Sequence, residues 1–307
     1  MKTLLPGCVA GLFLLTACAP KPRLPVYAAI NQEGITSVGS PMLFGRCTRS
    51  ALERNPYRTW FETAHQAYSV DTAALAAFRP LPPDVEIAVF FGTWCGDSRR
   101  EVPRLVKVLD FLKAQPAQVQ FIALDSRYGR YKQSPGQEQR GLGIFRQPTF
   151  VVRRQGEEIG RIVQHPVETL EKDLARLLTG TAYEPAFGAS WKLYQRFKRG
   201  QTTMTEAEVA RFASENRSTL SNIYALDGFG FVLASEGRYA EALTVYRINA
   251  LCFPNDAIAF NSLGDVYRQT GRSRLATANY RKALALDPDM ENPRKWLGLK
   301  NDVALVR

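Results

Sequence analysis

The sequence predicts an α/β domain followed by an all-α domain of helical repeats. Two observations carry this prediction. After the prolines at positions 80, 82 and 83, short apolar runs typical of buried strands alternate with an amphipathic helix up to residue 178. In the last third of the chain, residue types recur at an offset of 34, a period typical of helix-pair repeats. With 307 residues, the chain is long enough for two domains.

The first residues predict export from the cytoplasm. Lys2 gives a positive start, and residues 3–15 are apolar but too few to span a bilayer. Residues 15–18, Leu-Thr-Ala-Cys, resemble the lipobox of bacterial lipoproteins. This resemblance implies that residues 1–17 are a signal peptide and that Cys18 is lipidated. The alternative is an ordinary secretory signal with an incidental cysteine.

Residues 18–41 are predicted to be a tether, because three closely spaced prolines favour an extended chain. In Gram-negative lipoproteins, an alanine after the lipidated cysteine permits transfer to the outer membrane. Ala19 therefore implies the periplasmic face of that membrane, if the host is Gram-negative. The net charge of +11 raises the chance of contact with anionic surfaces. We expect no nucleic-acid partner, because no dense run of Lys and Arg is present.

Residues 42–84 are predicted to be a helical lead-in, with an apolar stripe that packs on the next domain. The stripe consists of Tyr57, Trp60, Phe61, Ala64 and Tyr68. Residues 85–180 then predict strand, helix, strand, a polar segment that is either a long loop or a poorly formed helix, hairpin and helix. These elements are expected at 86–91, 99–114, 118–124, 126–143, 149–163 and 167–178.

Two motifs in this region resemble the thioredoxin family. Trp94-Cys95-Gly96 stands at the turn from strand to helix, and Gln147-Pro148-Thr149 opens the hairpin. The resemblance implies a thioredoxin-like domain at 85–180, with Cys95 as nucleophile and a cis peptide bond before Pro148. It also implies that a substrate segment pairs with the main chain at Gln147. The chain departs from the family pattern at Asp97, which replaces a proline, and at Ser98, which replaces the second cysteine.

Cys95 is therefore predicted to have restricted chemistry. A helix N-terminus favours the thiolate form, whereas Asp97 opposes it, and the Ser98 hydroxyl can donate a hydrogen bond to the sulfur. One thiol can exchange with a small thiol or shuffle a partner's disulfides, but it cannot act as an autonomous dithiol reductase. A retained cysteine on a fold that only binds is an equal alternative.

The remaining cysteines and histidines predict no further centre. Cys47 and Cys252 stay in the mature chain, and either a disulfide between them or a distant resolving role for one of them is open. The two histidines are far apart in sequence, so we expect no metal site. We expect no cofactor, because the phosphate-loop and dinucleotide fingerprints do not occur.

The last third resembles two tetratricopeptide repeats at 223–290. Phe229-Gly230 recurs as Leu263-Gly264, and Tyr246 recurs as Tyr280. A helical connector is predicted at 181–222, with a Thr205-x-x-Glu208 capping box. A capping helix is predicted at 291–307, with Trp296 and Leu299. The resemblance implies a surface that docks a protein partner.

Together these features predict an envelope lipoprotein that docks partners through its repeats. Its one-cysteine module would act on a thiol or disulfide substrate, in exchange or in redox-linked protein quality control. The alternative is an adaptor in which both modules only bind proteins. A purely structural envelope protein is a third possibility.

Overall fold

The computed structural model describes residues 29–299. An N-terminal region of mixed α/β structure leads into an all-helical C-terminal region, as the sequence predicts. The predicted signal peptide, the lipidation site Cys18 and most of the tether lie outside the described residues. Within residues 29–299, no helix is both long enough and apolar enough to cross a membrane.

A six-stranded sheet organises the N-terminal region, in the order β1-β2-β4-β3-β5-β6. Central strand β3 runs parallel to β4 and antiparallel to β5, and the other neighbours are antiparallel. The strands are β1 Gln32–Ile35, β2 Pro41–Cys47, β3 Val85–Phe91, β4 Val119–Ala123, β5 Thr149–Arg154 and β6 Glu157–Val163. The predicted strands and hairpin are confirmed.

Apolar side chains cover both faces of the central strands. The run Val85–Phe91 is buried because each strand face meets a packed layer. Helix α4, Gly96–Phe111, places its predicted apolar stripe on one face, with Val102 and Leu105 fully buried. On the opposite face, Phe90 and Ile122 form a smaller cluster beneath the loop that connects β4 to β5. This loop has no helix or strand.

The interpretation of residues 18–41 as tether and 42–84 as helical is corrected by the structure. Strand β1 lies in the first segment, and the second opens with strand β2. Strand β2 pairs with β4 through Gly45 and Ala123, so it supplies hydrogen bonds to an otherwise open strand edge. The helical prediction holds for the rest of the segment, in α1 Arg49–Leu52, α2 Arg58–Ala67 and α3 Thr72–Leu75.

Seven helices follow α5, Leu170–Thr179, in the described part of the chain. They are α6 Gly188–Lys198, α7 Glu206–Asn216, α8 Tyr224–Ser235, α9 Tyr239–Cys252, α10 Ala257–Gln269, α11 Ser273–Leu286 and α12 Glu291–Trp296. The 34-residue offset corresponds to repeated close packing. A Cβ added at Gly230 would lie 2.6 Å from Tyr246, and one at Gly264 would lie 2.7 Å from Tyr280. The capping box at the start of α7 is confirmed.

The two regions share a core. Phe145, beside the sheet, packs with the helices, and its ring centroid lies 5.4 Å from that of Phe229 in α8. Arg161 of β6 is only 2% exposed and pairs with Glu158 at 2.6 Å. The Arg161 guanidinium also lies 4.3 Å from the ring centroid of Tyr194 in α6. These contacts fix the helical region against one end of the sheet.

Candidate functional site

Cys95 lies at the N-terminus of α4, immediately after β3 and its turn. Its backbone is extended, and its main-chain N–H donates to Gly92 O at 3.0 Å, which closes the turn. The Cys95 side chain is partly exposed. The first N–H groups of α4 and the positive end of its dipole are oriented towards this position, and both favour a negative charge.

The loop before β5 lies opposite Cys95. The Gln147–Pro148 peptide bond is cis, as the sequence predicts. The thiol of Cys95 donates to Gln147 O across a distance of 3.5 Å. Gln147 is only 6% exposed, and its Nε2 is buried without a hydrogen-bond acceptor in the part of the chain that the structure describes. The structure therefore brings Cys95, Gln147 and Pro148 together.

Ser98 is placed beneath the turn and not against the sulfur. It is fully buried, and its Oγ accepts the Gly92 N–H at 3.2 Å. Between residues 29 and 299, no hydrogen bond joins Ser98 to Cys95, so the expected donation to the sulfur is not observed. The hydroxyl instead satisfies a main-chain donor at the end of β3.

The other motif residues surround the turn. Trp94 Nε1 donates to Leu124 O at 2.8 Å, which holds the indole over the end of β4. Asp97 accepts a hydrogen bond from Gln164 Nε2 at 2.8 Å and pairs with Arg100 at 2.9 Å. Gly96 is exposed, and a Cβ there would meet nothing within 4 Å. The Asp97 carboxylate is thus engaged by groups other than the thiol.

Two cations near Cys95 were missed by sequence reasoning. Lys132 is 8% exposed, has a left-handed backbone with φ 62°, and donates from Nζ to Phe145 O at 2.6 Å. Burial, together with the charge of Arg146, lowers the pKa of Lys132 to about 8, against the opposing effect of Cys95 and Asp227. Burial likewise lowers the pKa of Arg146, against the attraction of Tyr131, Asp97, Asp227 and Cys95. Both cations therefore lie within electrostatic range of Cys95 and of α8.

Cys47 and Cys252 lie in environments that disfavour reaction. Both are buried, and no disulfide is formed among the cysteines that the structure describes. Burial raises the pKa of Cys47 to about 12 and raises that of Cys252. Because the thiolate is the nucleophile, neither thiol is ready to resolve a mixed disulfide at Cys95.

The helices enclose a second feature, a cavity of about 660 Å³ that we call the helical groove. Its walls come from α8, α9, α10 and α12, and Tyr128 of the β4–β5 loop stands at its edge. Asp227 and Phe231 of α8 line the wall nearest to the sheet. The lining combines aromatic rings with the carboxylates Asp227 and Asp265 and the cations Arg268 and Lys295.

Groups that ligate metals are not clustered in the described chain. From residue 29 to residue 299, no three His, Cys, Asp or Glu side chains are placed to hold a metal ion. His65 contacts Asp110 at 3.2 Å, and His165 contacts Pro166 O at 3.1 Å.

Comparison with known proteins gives a short, distant match. No protein-family model matches the chain. Over 93 residues, the chain is 29% identical to cellulose synthase operon protein C of Escherichia coli strain K12. The protein of corresponding name from Escherichia coli O157:H7 matches to the same extent. The match covers 30% of this chain and only 8% of each relative's length.

Proposed function

We propose that this chain is an envelope lipoprotein that docks protein partners through its helices and exchanges disulfides at Cys95. The observation that carries the proposal is the position of Cys95. A partly exposed thiol at a helix N-terminus lies 3.5 Å from Gln147 O, in the loop that precedes β5. This arrangement combines an accessible thiol with main-chain groups that can pair with an extended substrate.

Two modules divide this function. Residues 85–180 form a thioredoxin-like module, supported by the order of β3, α4, β4, β5, β6 and α5 around the parallel β3–β4 pair. Residues 223–290 form two tetratricopeptide-like repeats, supported by the equivalent contacts of Gly230 with Tyr246 and Gly264 with Tyr280. The helical groove is the docking surface for a protein.

Anchoring places both modules at a membrane. Cys18 carries the lipid, and the segment between Cys18 and β1 holds the folded part away from it. The periplasmic face of the outer membrane is the site in a Gram-negative host. The distant likeness to a protein named for a bacterial cellulose synthase operon supports a bacterial origin. Palmitate labelling of the full chain that is lost in Cys18→Ser tests this part of the proposal.

The exchange chemistry predicts a distinctive stoichiometry. Ser98 cannot resolve a mixed disulfide, and the thiols of Cys47 and Cys252 are buried. When the peptide is disulfide-linked to a small thiol, which leaves as a free thiolate, Cys95 should therefore trap one equivalent of the peptide and stop. Adding a small thiol should release the peptide and allow turnover, because the added thiolate attacks the mixed disulfide.

Mass spectrometry of the full chain, incubated with a disulfide peptide, tests the exchange. The expected product is one adduct at Cys95, absent in Cys95→Ser and removed by a monothiol. Ser98→Cys serves as the gain-of-function comparison, since its introduced thiol should release the peptide without a monothiol. If Cys95 forms no adduct while the chain still captures partner proteins, the chain is an adaptor that only binds. The engaged hydroxyl of Ser98 favours that second candidate.

A further inference from the structure

We infer that the helical groove and Cys95 form one composite surface for an extended segment of a partner protein. The segment sets a basic side chain against Asp227 and a disulfide-bonded cysteine against Cys95. This inference rests on the proposed exchange at Cys95 and specifies the substrate of that site.

Neighbouring aromatic rings connect the groove to the cysteine. The Trp94 ring, next to Cys95, lies 5.6 Å from that of Tyr131, and the Tyr131 ring lies 6.1 Å from that of Phe231. Tyr131 is 38% exposed and Phe231 is 42% exposed, and Phe231 also lines the groove. Two exposed rings in contact with the half-buried Trp94 favour a binding surface and give a bound chain a route from groove to thiol.

Charge identifies the segment that fits the groove. The Asp227 carboxylate accepts a hydrogen bond from Ser262 Oγ at 2.7 Å. No salt bridge reaches Asp227 from any residue between 29 and 299, although Lys132 and Arg146 attract its carboxylate at longer range. Burial outweighs that attraction and raises the pKa of the Asp227 carboxyl. A basic side chain of a partner would supply a direct ion pair at this partly desolvated carboxylate, which the more distant cations do not make.

Unpartnered donors mark the Cys95 end of the path. Gln147 Nε2 and Arg146 Nε are both buried without an acceptor in the described chain. Gln147 also contacts Cys95 through its main-chain oxygen. Because a buried donor without an acceptor is unfavourable, carbonyl groups of a bound extended segment would be stabilised here. These donors are a second sign of a ligand, independent of the cysteine.

The reaction on this surface conserves oxidation state overall. The Cys95 thiolate attacks the nearer sulfur of the partner's disulfide, so a bond forms between Cys95 Sγ and that sulfur. The partner's own S–S bond breaks, and its other sulfur leaves as a thiolate, which takes a proton from water. The partner remains covalently held while its basic side chain occupies the groove.

A peptide series tests this geometry with the full chain. Each peptide carries one cysteine as a thiopyridyl mixed disulfide and either lysine or norleucine at a variable distance from it. Separations of roughly three to eight residues span about 10 to 26 Å in an extended chain. The measured quantity is the rate of thiopyridone release that is lost in Cys95→Ser.

We expect one separation at which the lysine peptide reacts about tenfold faster than its norleucine match. That ratio should fall to near one in Asp227→Asn and persist in Asp289→Asn, an exposed carboxylate outside the groove lining. Phe231→Ala should slow the best peptide several-fold more than Tyr224→Ala, on the same helix but outside the lining.

The outcomes separate the two proposals. If Cys95 reacts with a small aromatic disulfide but shows no lysine preference at any separation, the composite surface is refuted and the exchange activity stands. A lysine preference that survives Asp227→Asn also refutes the composite surface. If Cys95 reacts with neither the peptides nor the small disulfide, both proposals are refuted.

Discussion

Lys132 gives a quantitative test of how charge is buried beside Cys95. Its pKa falls from an ordinary 10.5 to about 8, because the ammonium is buried next to Arg146. A difference of this size corresponds to about 3 kcal/mol of folding free energy. As pH falls from about 10.5 to about 8, the unfolded chain takes up a proton that the folded chain does not.

The sign of this effect is therefore fixed. Above about pH 10.5, Lys132 is neutral in both states and burial carries no charge penalty. Between about pH 10.5 and 8, the stability that Lys132 contributes decreases as pH decreases, and below about pH 8 the loss is complete. Relative to Lys132→Met, the unmodified chain should gain about 3 kcal/mol of unfolding free energy from pH 7.5 to pH 10.5.

Urea denaturation at several pH values measures this difference. Subtracting the curve of Lys132→Met removes the titration of tyrosines and other groups that both proteins share. Lys198→Met, at an exposed position in α6, is the matched control and should run parallel to the unmodified chain. A difference between the unmodified chain and Lys132→Met that stays constant with pH would refute the buried charge.

Three further predictions concern packing. Arg161→Ala leaves the Glu158 carboxylate buried without its ion-pair partner, so the unfolding free energy measured by urea denaturation should fall by about 3–5 kcal/mol. Arg58→Ala, which removes an exposed ion pair, should lower the unfolding free energy by less than about 1 kcal/mol. Gly230→Ala forces a Cβ towards Tyr246 and should lower the unfolding free energy by about 1–3 kcal/mol. Gly228→Ala, on the same helix, places its Cβ in ordinary contacts only and should be neutral or stabilising. Equal effects of the two substitutions would contradict this packing. Ser98→Ala leaves the Gly92 N–H without its acceptor and should cost about 1–3 kcal/mol by the same assay, and no loss would show that this hydrogen bond is dispensable.

Much of the fold could be predicted because local patterns coincide with tertiary contacts. The apolar stripe of α4 faces the sheet, so Val102 and Leu105 are found where their spacing predicts. The 34-residue offset reflects a close helix–helix contact that occurs twice. Only a small residue fits against Tyr246 at position 230 and against Tyr280 at position 264, and both positions are glycine. The Thr205–Glu208 capping box is encoded within four residues and is confirmed.

The rest depends on contacts that are distant in sequence. Strand β2 was missed because its apolar run is short, and its strand character comes from pairing with β4, which lies far along the chain. Lys132 and Arg146 stand in a polar loop without periodicity, so no local signal identified them. Asp227 has the pattern of an ordinary helical residue, and only the packing of α8 against the β4–β5 loop brings it within electrostatic range of Lys132.

The reactivity of Cys95 tests the central claim most directly. Alkylation of the full chain with iodoacetamide between pH 5 and 8, followed by mass mapping, gives the rate at Cys95 alone. The account predicts a faster rate at Cys95 in the folded chain than at the same cysteine in the urea-unfolded chain, because this partly exposed sulfur faces the N-terminus of α4. A native rate at or below the unfolded rate, together with undiminished partner capture by Cys95→Ser, would contradict the exchange function.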